Sequence, residues 1–89
     1  MRAVLTVVGK DMVGILAKVA TECAAANANV IDVTQSVLHD TFAMIMMVDI
    51  SKLNCPLPEL SDKLVDMTAG MGLVTHVMHE DIFNSMHRI

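Results

Sequence analysis

Two stretches whose apolar residues recur every three or four positions are interleaved with four short runs rich in β-branched or alternating apolar residues, in the order β-α-β-β-α-β. No other feature restricts the folding of this chain so strongly. Two βαβ halves with right-handed crossovers close into a four-stranded antiparallel sheet with both helices on one face, an α+β ferredoxin-like sandwich.

Residues 2–8 form the first run. Ala3, Leu5 and Val7 share one parity and Val4 and Val8 the other, so both faces of this strand are expected to be at least partly covered. From residue 13 to about 28 the spacing changes. Met12, Leu16, Val19, Cys23 and Ala26 make a 3.6-residue stripe with Lys18, Thr21 and Glu22 off it, as in an amphipathic helix packed on a sheet. Over residues 30–38, Ile31, Val33, Gln35 and Val37 fall on one parity and Asp32, Thr34 and Ser36 on the other, which predicts one wet or pocket-facing side. His39-Asp40-Thr41 suits a hairpin connection into residues 42–50, where both parities are again apolar. Pro56 and Pro58 suit a loop and the first turn of a second helix, in which Leu57, Leu60, Leu64, Met67 and Met71 repeat at three and four. Gly70 and Gly72 supply its stop signals. Residues 73–80 make the last strand, and Ile82, Met86 and Ile89 give residues 81–89 the pattern of a short helix capping the core or a partner.

Eighty-nine residues make one domain, spanning 1–89, with a small core. Its apolar fraction of 54% exceeds the roughly 45–50% usual for soluble domains. Strands one and three carry apolar side chains on the face away from the helices, and an exposed patch of that kind marks an interface, so a homodimer is expected. Among nine methionines, Met44, Met46, Met47, Met67 and Met71 fill gaps in a core without tryptophan or tyrosine. A sharper reading has Met44, Met46 and Met47 making the dimer face adaptable. No apolar run approaches the roughly 18–20 residues of a membrane helix, and the N-terminus lacks a signal peptide's basic start, which together predict a cytoplasmic protein with no membrane partner. Net charge is −4 and the six bases are scattered, so nucleic acid, which needs a clustered basic face, is excluded. Cys23 and Cys55 form no Cys-x-x-Cys pair and read as buried thiols.

Between the first strand and the first helix stand Gly9 and Gly14. A phosphate-binding loop needs Lys-Ser/Thr after its second glycine, whereas Ile15-Leu16 follow here, and no Gly-x-Gly-x-x-Gly fingerprint calls for a nucleotide cofactor. A tight strand-to-helix turn is the structural reading: Gly9 takes φ > 0, Asp11 caps the helix, and Gly14 permits close approach of another backbone. The functional reading uses the same atoms, because unpaired N–H groups at a helix start attract a carboxylate such as that of an amino acid.

The pattern Gly9-x-Asp11-x-x-Gly14-Ile15-Leu16-x-x-Val19, followed by Ala28-Asn29-Val30 at the second strand, resembles an ACT domain. Val8-Gly9-Lys10-Asp11, Asn29-Val30-Ile31-Asp32 and the ending His79-Glu80-Asp81-Ile82-Phe83-Asn84-Ser85-Met86-His87-Arg88-Ile89 resemble, more narrowly, the small stand-alone prokaryotic members similar to the glycine-cleavage-system repressor domains. The resemblance implies a dimeric regulatory module binding a small molecule, most often an amino acid, at a subunit interface. It nominates Gly9, Asp11, Met12, Val13, Gly14 and Ile15 of one chain with Asn29, Val30 and Ile31 of the other. Val13 stands where many amino-acid-binding members have proline. An acidic Asp11 repels a ligand carboxylate unless it faces the ligand's ammonium group.

His39, His76, His79 and His87 with Asp40, Glu80 and Asp81 raise a metal site, but His76 and His79, three apart on a strand, point to opposite faces. They read as surface or interface residues. Ser36, Ser51, Ser61 and Ser85 sit in no nucleophile setting and Cys23 lies on an apolar stripe, so no enzyme is expected. A ligand sensor that signals to a separate protein is one reading. A dimerisation or interaction module without a ligand is the other.

Overall fold

The computed structural model describes residues 1–10 and 14–86. Its elements are β1 (Arg2–Lys10), α1 (Ile15–Ala25), β2 (Asn29–Leu38), β3 (Thr41–Asp49), α2 (Leu57–Ala69), β4 (Val74–His79) and α3 (Glu80–Met86). The strands form one sheet in the order β2-β3-β1-β4, each neighbouring pair antiparallel, which is the ferredoxin-like arrangement. The two central strands are those whose sequence is apolar on both parities.

Alternation along β1 sends Ala3, Leu5 and Val7 beneath the helices, where they join Phe42, Met44, Met46 and Val48 of β3. Ile15, Val19 and Cys23 of α1 and Leu60 and Leu64 of α2 close this core from above. The stripe of α1 therefore runs through Ile15 rather than Leu16, which is exposed. Gly14 delays the helix start, and the i, i+4 spacing from Ile15 then lays one side chain per turn on the sheet. Met44 and Met46 lie in the core, so of the three methionines expected on the outer face only Met47 is there. Their register explains it: Met44 and Met46 stand opposite Val7 and Leu5, Met47 opposite Val4.

Both long helices end in the same device. Past α1 the Ala28 N–H donates to the Cys23 carbonyl and the Asn27 N–H to Ala24, with Asn27 in the left-handed region at φ 63. Past α2 the Leu73 N–H donates to Thr68 and the Gly72 N–H to Ala69, with Gly72 at φ 77. Gly72 is the stop. Gly70, at φ −64, is still helical. The buried hydroxyls of Thr68 and Thr75, 2.6 Å apart, then tie the end of α2 to β4, and the Thr68 hydroxyl also donates to the Leu64 carbonyl.

Cys23 is buried and Cys55 half-buried, both as free thiols. Burial, reinforced by the neighbouring Glu22 carboxylate, pushes the Cys23 thiol from 9.0 up to about 11. An acid held protonated by the fold stabilises it below the unfolded-state pKa, and that contribution is lost as pH rises through the folded one. Stability in urea is accordingly expected to fall by about 2 kcal/mol between pH 9 and 11, with Cys23→Ala removing most of the slope. An unchanged slope in that variant would assign the loss to other groups.

Candidate functional site

Beyond β1 the chain reaches α1 through Gly14, which holds the helix N-cap position at φ 84. Asp11, expected to cap the helix, lies with Met12 and Val13 outside the described residues. The cap position itself belongs to Gly14, which makes no side-chain cap hydrogen bond, and the first helical bond runs from the Lys18 N–H to the Gly14 carbonyl at 3.0 Å. Ile15 is buried and pins this first turn, while Leu16 and Ala17 face solvent. The first N–H groups of a helix have no partner within it. Around the place where a side chain would leave Gly14, nothing described approaches within 4 Å.

The two glycines exchange the roles expected of them. Gly9 is not a left-handed turn residue but part of β1, paired with Phe42. A Cβ there would stand 2.3 Å from Leu73 Cδ2 and 3.2 Å from the Gly72 carbonyl oxygen. Close approach is thus Gly9's task and the left-handed backbone is Gly14's. Gly9 packs the end of β1 onto the α2–β4 turn.

The second nominated segment opens β2. Asn29 is exposed and pairs with Asp49, and Val30 turns inward opposite Val48. Between Val30 and Asp32 the register slips by one residue, a β-bulge that turns Ile31 outward, 47% exposed, and lets Val30 and Val33 both reach the core. This overturns the strict alternation that put Ile31 and Val33 on one face. Just past the bulge the Val33 N–H donates to the Asp32 carboxylate at 2.9 Å.

Asn29 also borders a cavity of about 260 Å³ shared with Asn27, Asp49, Ser51 and Lys52. Hydrogen bonds from the Ser51 hydroxyl and N–H hold the Asp49 carboxyl below its ordinary value, so it remains an anion there. The Asn27 amide donates to the Lys52 carbonyl at 2.7 Å, clasping the two loops that form the cavity wall. None of these four neighbours is nominated as a ligand residue by the sequence; Asn27 follows the helical stripe as a stop residue would, but only strand pairing brings Asp49 beside Asn29. A second cleft, of about 290 Å³, lies between the end of α1 and the start of α2, where the Asn54 amide donates to the Ala25 carbonyl at 2.9 Å.

The two nominated segments do not meet within one chain. Asn29 stands with Asp49 and Arg2 at one end of the sheet, whereas β1 hands over to α1 at the other, where Lys10 pairs with Thr41. Eight residues of strand separate those ends, about 27 Å. His76 and His79 pair with Thr6 and Ala3, on opposite faces of the sheet, and among the described residues no three His, Cys, Asp or Glu side chains gather as metal ligands would.

Four antiparallel strands in the order β2-β3-β1-β4 beneath two helices make this chain a small ferredoxin-like α+β module. The sequence pattern of the ACT domain matches residues 2–77, and the chain belongs to the ACT domain family. It is 42% identical over 89 residues, the whole of both chains, to a UPF0237 protein of Listeria monocytogenes. Among solved structures, an ACT domain protein from Streptococcus pneumoniae superposes with a TM-score of 0.79 at 30% identity, covering 93% of each chain. A putative glycine cleavage system transcriptional repressor shares the fold, with a TM-score of 0.66 at 21% identity over 89% of this chain and 47% of its own. ACT domains are regulatory modules that typically bind amino acids or other small molecules.

Proposed function

We propose that this protein is a homodimeric, cytoplasmic sensor of a small molecule, an amino acid in the first instance, that passes its signal to a separate regulated protein. Asp11, Met12, Val13, Gly14 and Ile15 of one protomer and Asn29, Val30 and Ile31 of its partner form each pocket, with Gly9 on the strand that leads into it. The observation that carries this reading is the start of α1: its cap is a glycine in the left-handed region, with no described atom within 4 Å of where a side chain would leave it. Helix-start N–H groups suit a carboxylate, by about 0.3–1 kcal/mol from the helix dipole and more from the hydrogen bonds themselves.

Sheet geometry supports the pairing of protomers. β2 is an edge strand of ten residues with Ile31 and Val37 exposed and neither proline nor lysine to blunt it, the kind of edge that takes on another strand. A two-fold axis beside β2 runs the two copies antiparallel. The Asn29 end of one then lies beside the Leu38 end of the other, and that is the end of the sheet at which β1 meets α1. The separation of about 27 Å within a chain falls to roughly 14 Å between chains, the width of three strand spacings across β2 and β3.

Calorimetry across the twenty amino acids is expected to find a ligand of micromolar to millimolar affinity, about −4 to −8 kcal/mol. Silence across the whole set would overturn the amino-acid reading. Gly14→Leu is then expected to abolish that heat while leaving the dimer folded. A leucine there carries roughly 1–2 kcal/mol of left-handed strain, and its Cβ meets no described atom within 4 Å.

A further inference from the structure

Alternation along β1 sends Arg2, Val4, Thr6 and Val8 to the side of the sheet away from the two long helices. Val4 and Val8 are the same side chain on the same face of one strand, yet Val4 is 1% exposed and Val8 44%. The difference is α3. It folds back from the end of β4, contacts β1 and β4, and covers Val4 and its pairing partner Met78, while the rows through Thr6 and Val8 stay bare. This cover is lightly held. None of the α3 residues is buried, Ile82 and Met86 are exposed, and Phe83 is half-buried. Its tightest polar tie among the described residues is the Arg2 guanidinium, whose Nε and Nη2 donate to the two Glu80 carboxylate oxygens at 2.6 and 2.7 Å. The pattern shared with ACT domains ends at residue 77, so α3 is carried in addition to it.

We infer that α3 is a strap over the bare side of the sheet that opens as a unit while the sandwich stays folded, with the Arg2–Glu80 pair as its latch. A helix of seven residues does not persist in water by itself, since isolated helices shorter than about 12–15 residues are marginal. Two states are therefore open to it: docked and helical, or detached and unfolded. Detachment costs little apolar burial, whereas freeing β1, α1 or α2 breaks the core, so the strap belongs to the low-stability end of the molecule. Both terms that hold it shut are electrostatic in part. The latch is a bidentate, charge-assisted pair reached by water, and Glu80 and Asp81 stand in the first turn, where carboxylates favour the helix dipole. Salt screens both, so the open fraction rises with ionic strength. Opening uncovers Val4 one row from the already exposed Ile45, and the strap thereby sets how much apolar surface this face presents. It requires neither the ligand pocket nor the β2 edge contact.

Labelling of the full chain by iodoacetamide tests the strap, with Val4→Cys in a Cys55→Ser background and adducts located by mass spectrometry. Cys23, fully buried against the sheet, stays as the internal clock for global unfolding, and Val8→Cys gives the rate at an uncovered position of the same strand. The thiol of Val4→Cys is expected to react more slowly than that of Val8→Cys but at least about 100-fold faster than Cys23, and with a smaller urea dependence than Cys23. Adding Glu80→Gln, or raising the salt to about 1 M, is expected to speed it about 3- to 10-fold. Equal rates and equal urea slopes for Val4→Cys and Cys23 would overturn the inference, because α3 would then open only with the whole fold. A rate matching Val8→Cys, or one indifferent to Glu80→Gln, would overturn it as well, by removing the cover or the latch. Amide exchange in the unsubstituted chain decides the matter if Val4→Cys does not fold: α3 amides exchanging no faster than those at the centre of β1 would sink the strap.

Discussion

Leu5→Ala is expected to destabilise the fold by about 3–4 kcal/mol, the largest effect of any single side-chain truncation proposed for this protein. Leu5 is fully buried at the middle of β1, opposite Met46 of β3 and Val77 of β4 and beneath both helices. Its loss removes the transfer free energy of three carbons and leaves a cavity that the sheet cannot collapse, because β1 is held by neighbours on both sides. A domain of this size has about 5–10 kcal/mol in all, so a third or more of its stability goes with one side chain. Urea unfolding should show the midpoint falling with an unchanged slope, while Ser36→Ala, on the exposed side of β2, moves it by less than about 0.5 kcal/mol. A Leu5→Ala midpoint shifted no further than that of Ser36→Ala would contradict the placement of the core.

Gly9→Ala is expected to cost about 2–3 kcal/mol through overpacking. The added methyl arrives 2.3 Å from Leu73 Cδ2, and the Gly72 oxygen and Leu73 Cα, both at 3.2 Å, leave β1 little room to retreat. Leu73 is buried, so its side chain cannot swing into solvent without a further loss. The cause can be separated from a backbone effect by a double-mutant cycle. Leu73→Ala by itself destabilises, but combined with Gly9→Ala the two losses are expected to sum to less than their separate values, because the truncated side chain no longer meets the new methyl. Strict additivity would point instead to the 3.2 Å backbone contacts as the seat of the strain.

The pair Gly9 and Gly14 shows how far the candidate site was legible. Both positions stand out in the sequence, and Ile15 and Asn29 follow from the same pattern. Which glycine needs a left-handed backbone and which needs the absence of a side chain was misassigned. The first depends on where α1 begins, the second on Leu73 arriving from the far side of the molecule. The cavity beside Asn29 was missed for a related reason: Asn27, Asp49, Ser51 and Lys52 carry no shared motif and are gathered by the loops after α1 and β3. The elements themselves were read almost to their ends. Residues with apolar neighbours on both parities became central strands, and the two 3.6-residue stripes became the helices over the sheet.

Local geometry is what the sequence alone could determine, because a strand repeats its faces every two residues and a helix every 3.6 wherever they lie in a fold. Element order, the inward parity of β1 and β3, and the helical stripes all follow from that rule. Pairing between distant segments decided the remainder. The bulge at Ile31 depends on how β2 meets β3, the bare rows on how far α3 reaches over β1 and β4, and the distance between the two halves of the candidate pocket on the antiparallel run of the sheet. Each is set by contacts between residues far apart in the chain, and no local repeat records them.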